Sequence, residues 1–150
     1  RADQMRTAVP NLPGVRIIKN SNYRKGRVSS ILKGLGALQA SMDGVVVLNV
    51  DSPRTSGMLG LLKETFKATD PMLAVLTFGG RTGHPWLFSV ALFQELLAIT
   101  EEQEGLREVE LRHREEWLTV ETGSPLALTN INTRRDYLHA LEIAKTFEDA

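Results

Sequence analysis

An open, mostly parallel α/β sheet with one antiparallel excursion is the fold class that the sequence predicts, on three observations. Val45-Val-Val-Leu-Asn-Val50 and Met72-Leu-Ala-Val-Leu-Thr-Phe78 are continuous apolar runs, and an apolar-periodic segment (Met58, Leu59, Leu61, Leu62, Phe66) lies between them. Gly79-Gly-Arg-Thr-Gly83 then breaks the pattern before an extended run resumes at His84-Pro-Trp-Leu-Phe88. A continuous β-branched run, unlike an alternating one, implies burial on both faces and therefore a central parallel strand, which is the expectation for residues 45–50. A helical crossover between two such strands makes residues 45–78 a β-α-β unit, expected to be right-handed.

The remaining elements follow in chain order. Val15 to Lys19, after the Pro13-Gly14 turn signal, reads as a strand. Val28, Ile31, Leu32, Leu35 and Leu38 recur at helical steps, and Gly34 and Gly36 within that helix would cost about 1 kcal/mol each, so close packing is expected to offset them. Asp51-Ser52-Pro53 opens the crossover helix. Pro85 confines its strand to an edge or a bulge. Ser89 is the expected N-cap of a helix over 90–99. Glu101 to Glu116 reads as a solvated face of alternating charge anchored by Leu106, Val109 and Leu111. Trp117–Glu121 and Leu126–Leu128 read as short strands, and Asn130-Ile-Asn-Thr133 caps a last helix with Tyr137, Leu138, Leu141 and Ala144 as its buried stripe.

Composition bounds the function. The chain has 150 residues, no Cys, 18 Lys+Arg against 18 Asp+Glu and 42% hydrophobic residues, which describes one ordinary globular domain rather than a disordered, fibrous or disulfide-stapled chain. Zero formal charge argues against a surface that works by neutralising a nucleic-acid backbone. No apolar run approaches the ~18 residues of a membrane helix, and no signal-peptide pattern is present. The chain opens at Arg1 rather than Met, from which further sequence upstream is expected.

In open α/β sheets ligands sit beyond the carboxyl ends of the strands, which directs attention to Asp51 and to 129–133. Asp51 is either a ligand for a hard divalent cation or a helix-start residue. Asn130, Asn132 and Thr133 are caps or neutral oxygen donors. Ser29 and Ser30, after Gly26, are N-caps or contacts for a nucleotide base or sugar. Arg81 sits in a Gly-rich turn, where the ordinary reading is a solvated charge, and His84 follows that turn, as a structural residue or as one that binds phosphate or shuttles a proton. No Walker loop, G-x-G-x-x-G, zinc cluster or G-x-S-x-G elbow is present.

The order of these segments resembles the molybdenum cofactor nucleotidyltransferases, relatives of the nucleotide-sugar pyrophosphorylases. Asn20…Tyr23…Gly26…Ser29-Ser30 is similar to that family's serine-rich helix start, and Asn49-Val-Asp-Ser-Pro53 to its Gly-Asp-Gln-Pro. Gly80-Arg-Thr-Gly-His-Pro85 is similar to its Gly-Arg-x-Gly-His-Pro, the most specific match, and Gly105-Leu-Arg107 and Asn130-Ile-Asn-Thr133…Asp136 complete the set over about residues 15–140. The resemblance implies a Rossmann-like sheet of the nucleotide-diphospho-sugar transferase kind, with residues 1–150 a single nucleotidyltransferase-like domain, its C-terminal three quarters or so. The family's first strand and its Gly-rich triphosphate loop have no counterpart here, so these 150 residues alone are expected to lack the pyrophosphate site and to be inactive.

The implied reaction is magnesium-dependent transfer of CMP or GMP from CTP or GTP to a phosphorylated acceptor, molybdopterin, with release of pyrophosphate. Asp51 and Asn132 would be the catalytic, Mg2+-holding pair; Gly26, Ser29 and Ser30 would contact the nucleotide; Arg81 and His84 would receive the acceptor. The resemblance further implies a cytoplasmic protein with no nucleic-acid or membrane partner, and a molybdoenzyme or its chaperone as protein partner. Gly-His-Pro is similar to the cytidylyl-transferring branch and Asn-x-Asn-Thr to the guanylyl-transferring one, so the base stays open. Two other readings stay open as well: a non-catalytic nucleotide-binding or regulatory module of the same fold, and a flavin reductase suggested by the run at 56–63.

Overall fold

The computed structural model describes residues 7, 9, 13–38 and 41–148. The chain forms two compact units, Arg1–Ala40 with Glu95–Val109 and Ser41–Gln94 with Glu110–Ala150.

The second unit is built on a four-stranded sheet of β1 (Gly44–Val47), β2 (Leu73–Phe78), β3 (Arg81–Ser89) and β4 (Trp117–Glu121), in the order β1-β3-β2-β4. β3 runs antiparallel to both β1 and β2, and β4 runs parallel to β2, so three strands share one direction and β3 is the excursion that the Gly-rich break predicts. β2 is the buried spine: Leu73, Ala74, Val75 and Leu76 are each 0% exposed, as its continuous apolar run predicts.

The similar run at 45–50 behaves differently. β1 is short and bonds β3 alone among the described residues; Val45 is buried, but Val46 is 45% exposed and Val50, beyond the strand, 96%. Both runs are continuous and predominantly apolar; of the two strands they form, only β2 has neighbours on both edges among the described residues. Val46 and Leu87 face one another across the β1–β3 pair and, with Leu59 and Phe66, line an open depression of about 370 Å³.

β1 and β2 are joined by α2 (Ser56–Thr69), whose Met58, Leu62 and Phe66, four residues apart, enter the core beside Ala74, Leu76, Leu87 and Val120. Thr55, rather than the predicted Asp51-Ser52-Pro53, starts this helix, its Oγ1 accepting from the Met58 N–H at 3.2 Å. Asp70 ends it in the left-handed conformation. On the opposite face of the sheet Trp86 meets Trp117 edge-on, with ring centroids 4.6 Å apart.

Pro85 lies in an inner strand, not at an edge. The bulge alternative holds, because the β2–β3 register shifts between Val75 and Thr77. Residues 125–128 form a 3-10 turn instead of the predicted strand: Pro125 fits the first helical position and Ser124 Oγ accepts from the Leu126 N–H. α5 (Arg134–Glu148) is capped from within the predicted Asn130–Thr133 segment, by Thr133 in a capping box with Asp136, but its stripe is rotated. Ala140, Ile143 and Ala144 pack on the core, whereas Tyr137, Leu138 and Leu141 are 39–50% exposed.

In the first unit residues 15–19 have no regular secondary structure and pair with no strand among the described residues, against the strand predicted there. α1 (Arg27–Leu35) buries Val28 and Leu35 and closes with the Gly36 N–H on Leu32 O at 2.9 Å, short of the predicted Leu38. Gly34 has no atom within 4 Å of where a Cβ would stand, which removes the expected close packing, and Gly36 lies outside the helix. Ser89 caps a 3-10 turn over Val90–Leu92 that leads into α3 (Phe93–Leu97). The charge-dense stretch holds α4 (Leu106–Arg112), with Leu106 and Val109 buried and Leu111, against expectation, 46% exposed.

Gly83 is fixed by its surroundings. A Cβ there would stand 2.1 Å from Ala127 O and 3.2 Å from Leu76 O, both backbone atoms that cannot swing aside. Gly83→Ala is expected to destabilise the protein by at least the ~1–3 kcal/mol typical of overpacking, read as a lower midpoint in urea unfolding, while Gly34→Ala does not.

Candidate functional site

The carboxyl end of the sheet brings three separated segments of the second unit together. β1 ends at Val47 opposite Trp86, so the loop 48–55 emerges beside His84 and Pro85 of β3. The Ile131 N–H donates to Asp51 O at 2.6 Å, which lays the segment after Leu128 along the same loop. Ser52, 3% exposed, donates its hydroxyl to Asn130 Oδ1 at 2.8 Å and lies 3.4 Å from Asp51 Oδ1. The half-buried Asp51 carboxylate thus stands over a stitched pair of loops, with the exposed Asn132 one residue beyond the stitch.

Arg54 ties the same segments from behind and carries no motif signal in the sequence. Its Nε donates to His84 O at 2.6 Å, Nη2 to Ala127 O at 2.8 Å, and Nη1 to Thr129 O at 3.0 Å and Pro53 O at 2.5 Å. Burial pushes the guanidinium down to about 10, against the raising effect of nearby Asp51, so it stays cationic at neutral pH. The cis His84–Pro85 peptide belongs to this clamp through its carbonyl.

Arg81 stands at the exposed start of β3, paired with Phe78, and His84 is half-buried further along the same strand. Glu121 secures the turn between β2 and β3: it accepts from Thr77 Oγ1 and the Gly79 N–H, both at 2.6 Å. Those two bonds, the hydroxyl first, hold its carboxyl below the usual carboxylate range. Asp136 is depressed in the same way by the Asn132 N–H, then the Thr133 hydroxyl and N–H.

A carboxylate at Asp51 and a neutral amide at Asn132 are oxygen donors of the kind that a hard divalent cation takes; no group of three His, Cys, Asp or Glu side chains that could hold a metal is found among the described residues. Asn130, with its oxygen engaged by Ser52, serves the scaffold; Asn132 uses only its backbone N–H in the cap.

In the first unit the Asn20 amide donates to Ser29 Oγ and Ser30 Oγ, both at 2.9 Å, and Ser29 donates to Gly26 O at 2.8 Å. Gly26 (φ 104) precedes α1, and a Cβ there would meet Glu101 Oε1 at 2.1 Å. That carboxylate accepts from the Val28 N–H at 2.6 Å and so caps α1 across 73 residues of chain. Neither serine caps the helix; the capping group is a glutamate that the sequence alone places on a solvated charge run. No helix among the described residues is long and apolar enough to cross a membrane.

The model of the MobA-like NTP transferase domain matches residues 1–117. No curated protein matches the chain. Solved structures share its fold: Rv0371c from Mycobacterium tuberculosis H37Rv (TM-score 0.68, 22% identity, 94% of this chain and 71% of that one) and the homologue of Rv0371c from Mycobacterium sp. strain JC1 (0.67, 17%, 97% and 72%). A third is the complex of the H37Rv protein with manganese (0.65, 22%, 94% and 74%).

Because Glu121 and Asp136 are both depressed, their contribution is complete above the ordinary carboxylate values of 4.5 and 3.8 and is lost as pH falls through the lower folded-state values. The amide resonances of Gly79 and Asn132 are expected to shift together with these protonations in an acid titration to about pH 3, and Glu121→Gln or Asp136→Asn to flatten the matching curve alone.

Proposed function

We propose, from the premise that this chain belongs to the MobA-like NTP transferase domain family, that it transfers CMP or GMP from CTP or GTP to a phosphorylated acceptor, molybdopterin, as a step of molybdenum cofactor synthesis. The observation that carries the proposal is the meeting of the Asp51 loop, the Asn130–Asn132 segment and the Gly83-His84-Pro85 stretch of β3 at one end of the sheet. In the reaction an oxygen of the acceptor phosphate forms a bond to the α-phosphorus of the nucleotide while the bond to the bridging oxygen breaks, and the electron pair leaves with pyrophosphate.

Such chemistry asks the protein to align two anions and to neutralise charge. The attacking phosphate is already ionised at neutral pH, so no general base is demanded. Asp51 and Asn132 are the residues that would hold Mg2+, which when bound supplies charge neutralisation at the phosphates. The manganese complex of the mycobacterial neighbour supports a divalent ion in this fold. Arg81 and His84 are assigned to the acceptor phosphate, to which a guanidinium and an imidazole N–H can donate. In the first unit Gly26, Ser29 and Ser30 are assigned to the nucleotide, supported by the way Asn20 orients both hydroxyls.

In the full-length protein Asp51→Ala is expected to lower pyrophosphate release from CTP or GTP by a factor on the order of 10² or more, with folding unchanged. Equal rates at saturating Mg2+ would reject the assignment. For Arg81→Ala and His84→Ala the expected change is a raised acceptor KM at constant nucleotide KM, since each charge-assisted bond contributes roughly 1.5–3 kcal/mol; steady-state kinetics at fixed nucleotide checks it.

A further inference from the structure

We propose that Arg54 is a positioning residue for the metal-holding end of the site, its guanidinium fixing where Asp51 and Asn132 stand. The role rests on the reading of Asp51 as a metal ligand. Three segments far apart in sequence each present a backbone carbonyl to this one side chain, and each segment carries a residue assigned to the reaction: Pro53 O follows Asp51, His84 O belongs to the acceptor-side residue of β3, and Ala127 O and Thr129 O precede Asn132. The Ser52–Asn130 and Ile131–Asp51 bonds join two of the segments that this clamp holds.

The geometry is particular to arginine. Five donors in a planar fork can address carbonyls in several directions at once, whereas a lysine presents three donors from a single point. Four bonds at 2.5–3.0 Å to carbonyls leave the half-buried group little reach toward a ligand, so it acts through the backbone rather than by touching phosphate. Its charge, close enough to Asp51 to interact with it, opposes a cation there, so any gain in metal binding must come from geometry.

The test is a titration of the protein with Mn2+ alone, followed by electron paramagnetic resonance, on the wild type, Asp51→Ala, Arg54→Lys and Arg54→Met, with circular dichroism as a check on folding. Arg54→Lys keeps the charge and loses the fork; it is expected to bind Mn2+ roughly tenfold more weakly, the lower end of what loss of an outer-shell partner does. Asp51→Ala is expected to lose the site. Wild-type affinity in Arg54→Lys, or tighter binding in Arg54→Met through relief of repulsion, overturns the positioning role while leaving Asp51 as ligand. Unchanged binding in Asp51→Ala rejects the metal reading itself, and this inference with it. Should Arg54→Met fail to fold, Arg54→Lys decides alone.

Discussion

The insertion of β3 between β1 and β2 is the constraint on which the larger unit depends. With β3 antiparallel to both, the loops that leave β1 and β2 and the start of β3 all fall at one end of the sheet. β3 must then pass the 125–128 turn at backbone distance, which leaves room for glycine alone at 83. The bulge opposite Val75–Thr77 lets Pro85 occupy an inner strand without a missing ladder bond. Arg54 fills the gap that these three backbones leave and satisfies carbonyls that strand pairing does not reach.

Three acidic side chains, in both units, fix local structure by accepting from backbone N–H groups. Glu101 holds the start of α1, Asp136 the start of α5 and Glu121 the β2–β3 turn, each by bonds of 2.6–3.0 Å. The exposed pairs Lys67–Asp43 and Arg107–Glu104 add little by comparison, since water screens them. Asp51 differs: among the described hydrogen bonds its carboxylate has only the long contact from Ser52, which suits a group assigned to an outside ligand. In a chain of zero net charge such local arrangements, rather than a global field, must steer an anionic substrate.

Much of this was legible in the sequence where a local rule and the tertiary demand coincide. The run at 73–78 is a buried strand, Gly79-Gly80 turns the chain back, and the last helix is capped from within the Asn130–Thr133 segment. Legibility failed where a partner distant in sequence decides. Val45–Val50 has the composition of a central strand, but burial requires neighbours on both edges. Tyr137, Leu138 and Leu141 fit a helical stripe as well as Ala140, Ile143 and Ala144 do; contact with Leu126 and Met58 selects the second set.

The sequence by itself determined the elements whose causes lie within a few residues: β-branched runs, turn glycines, caps, and the order of motifs that marks the family. It also pointed to Asp51, because a carboxylate after a strand is a local pattern. Only the tertiary structure decided what surrounds that carboxylate. Ser52 meets Asn130 across 78 residues, Arg54 reaches Thr129 across 75, and Glu101 caps Val28 across 73. Such contacts leave no periodicity or spacing to read, since a hydrogen bond depends on positions in space, and those are set by how the sheet packs the intervening chain.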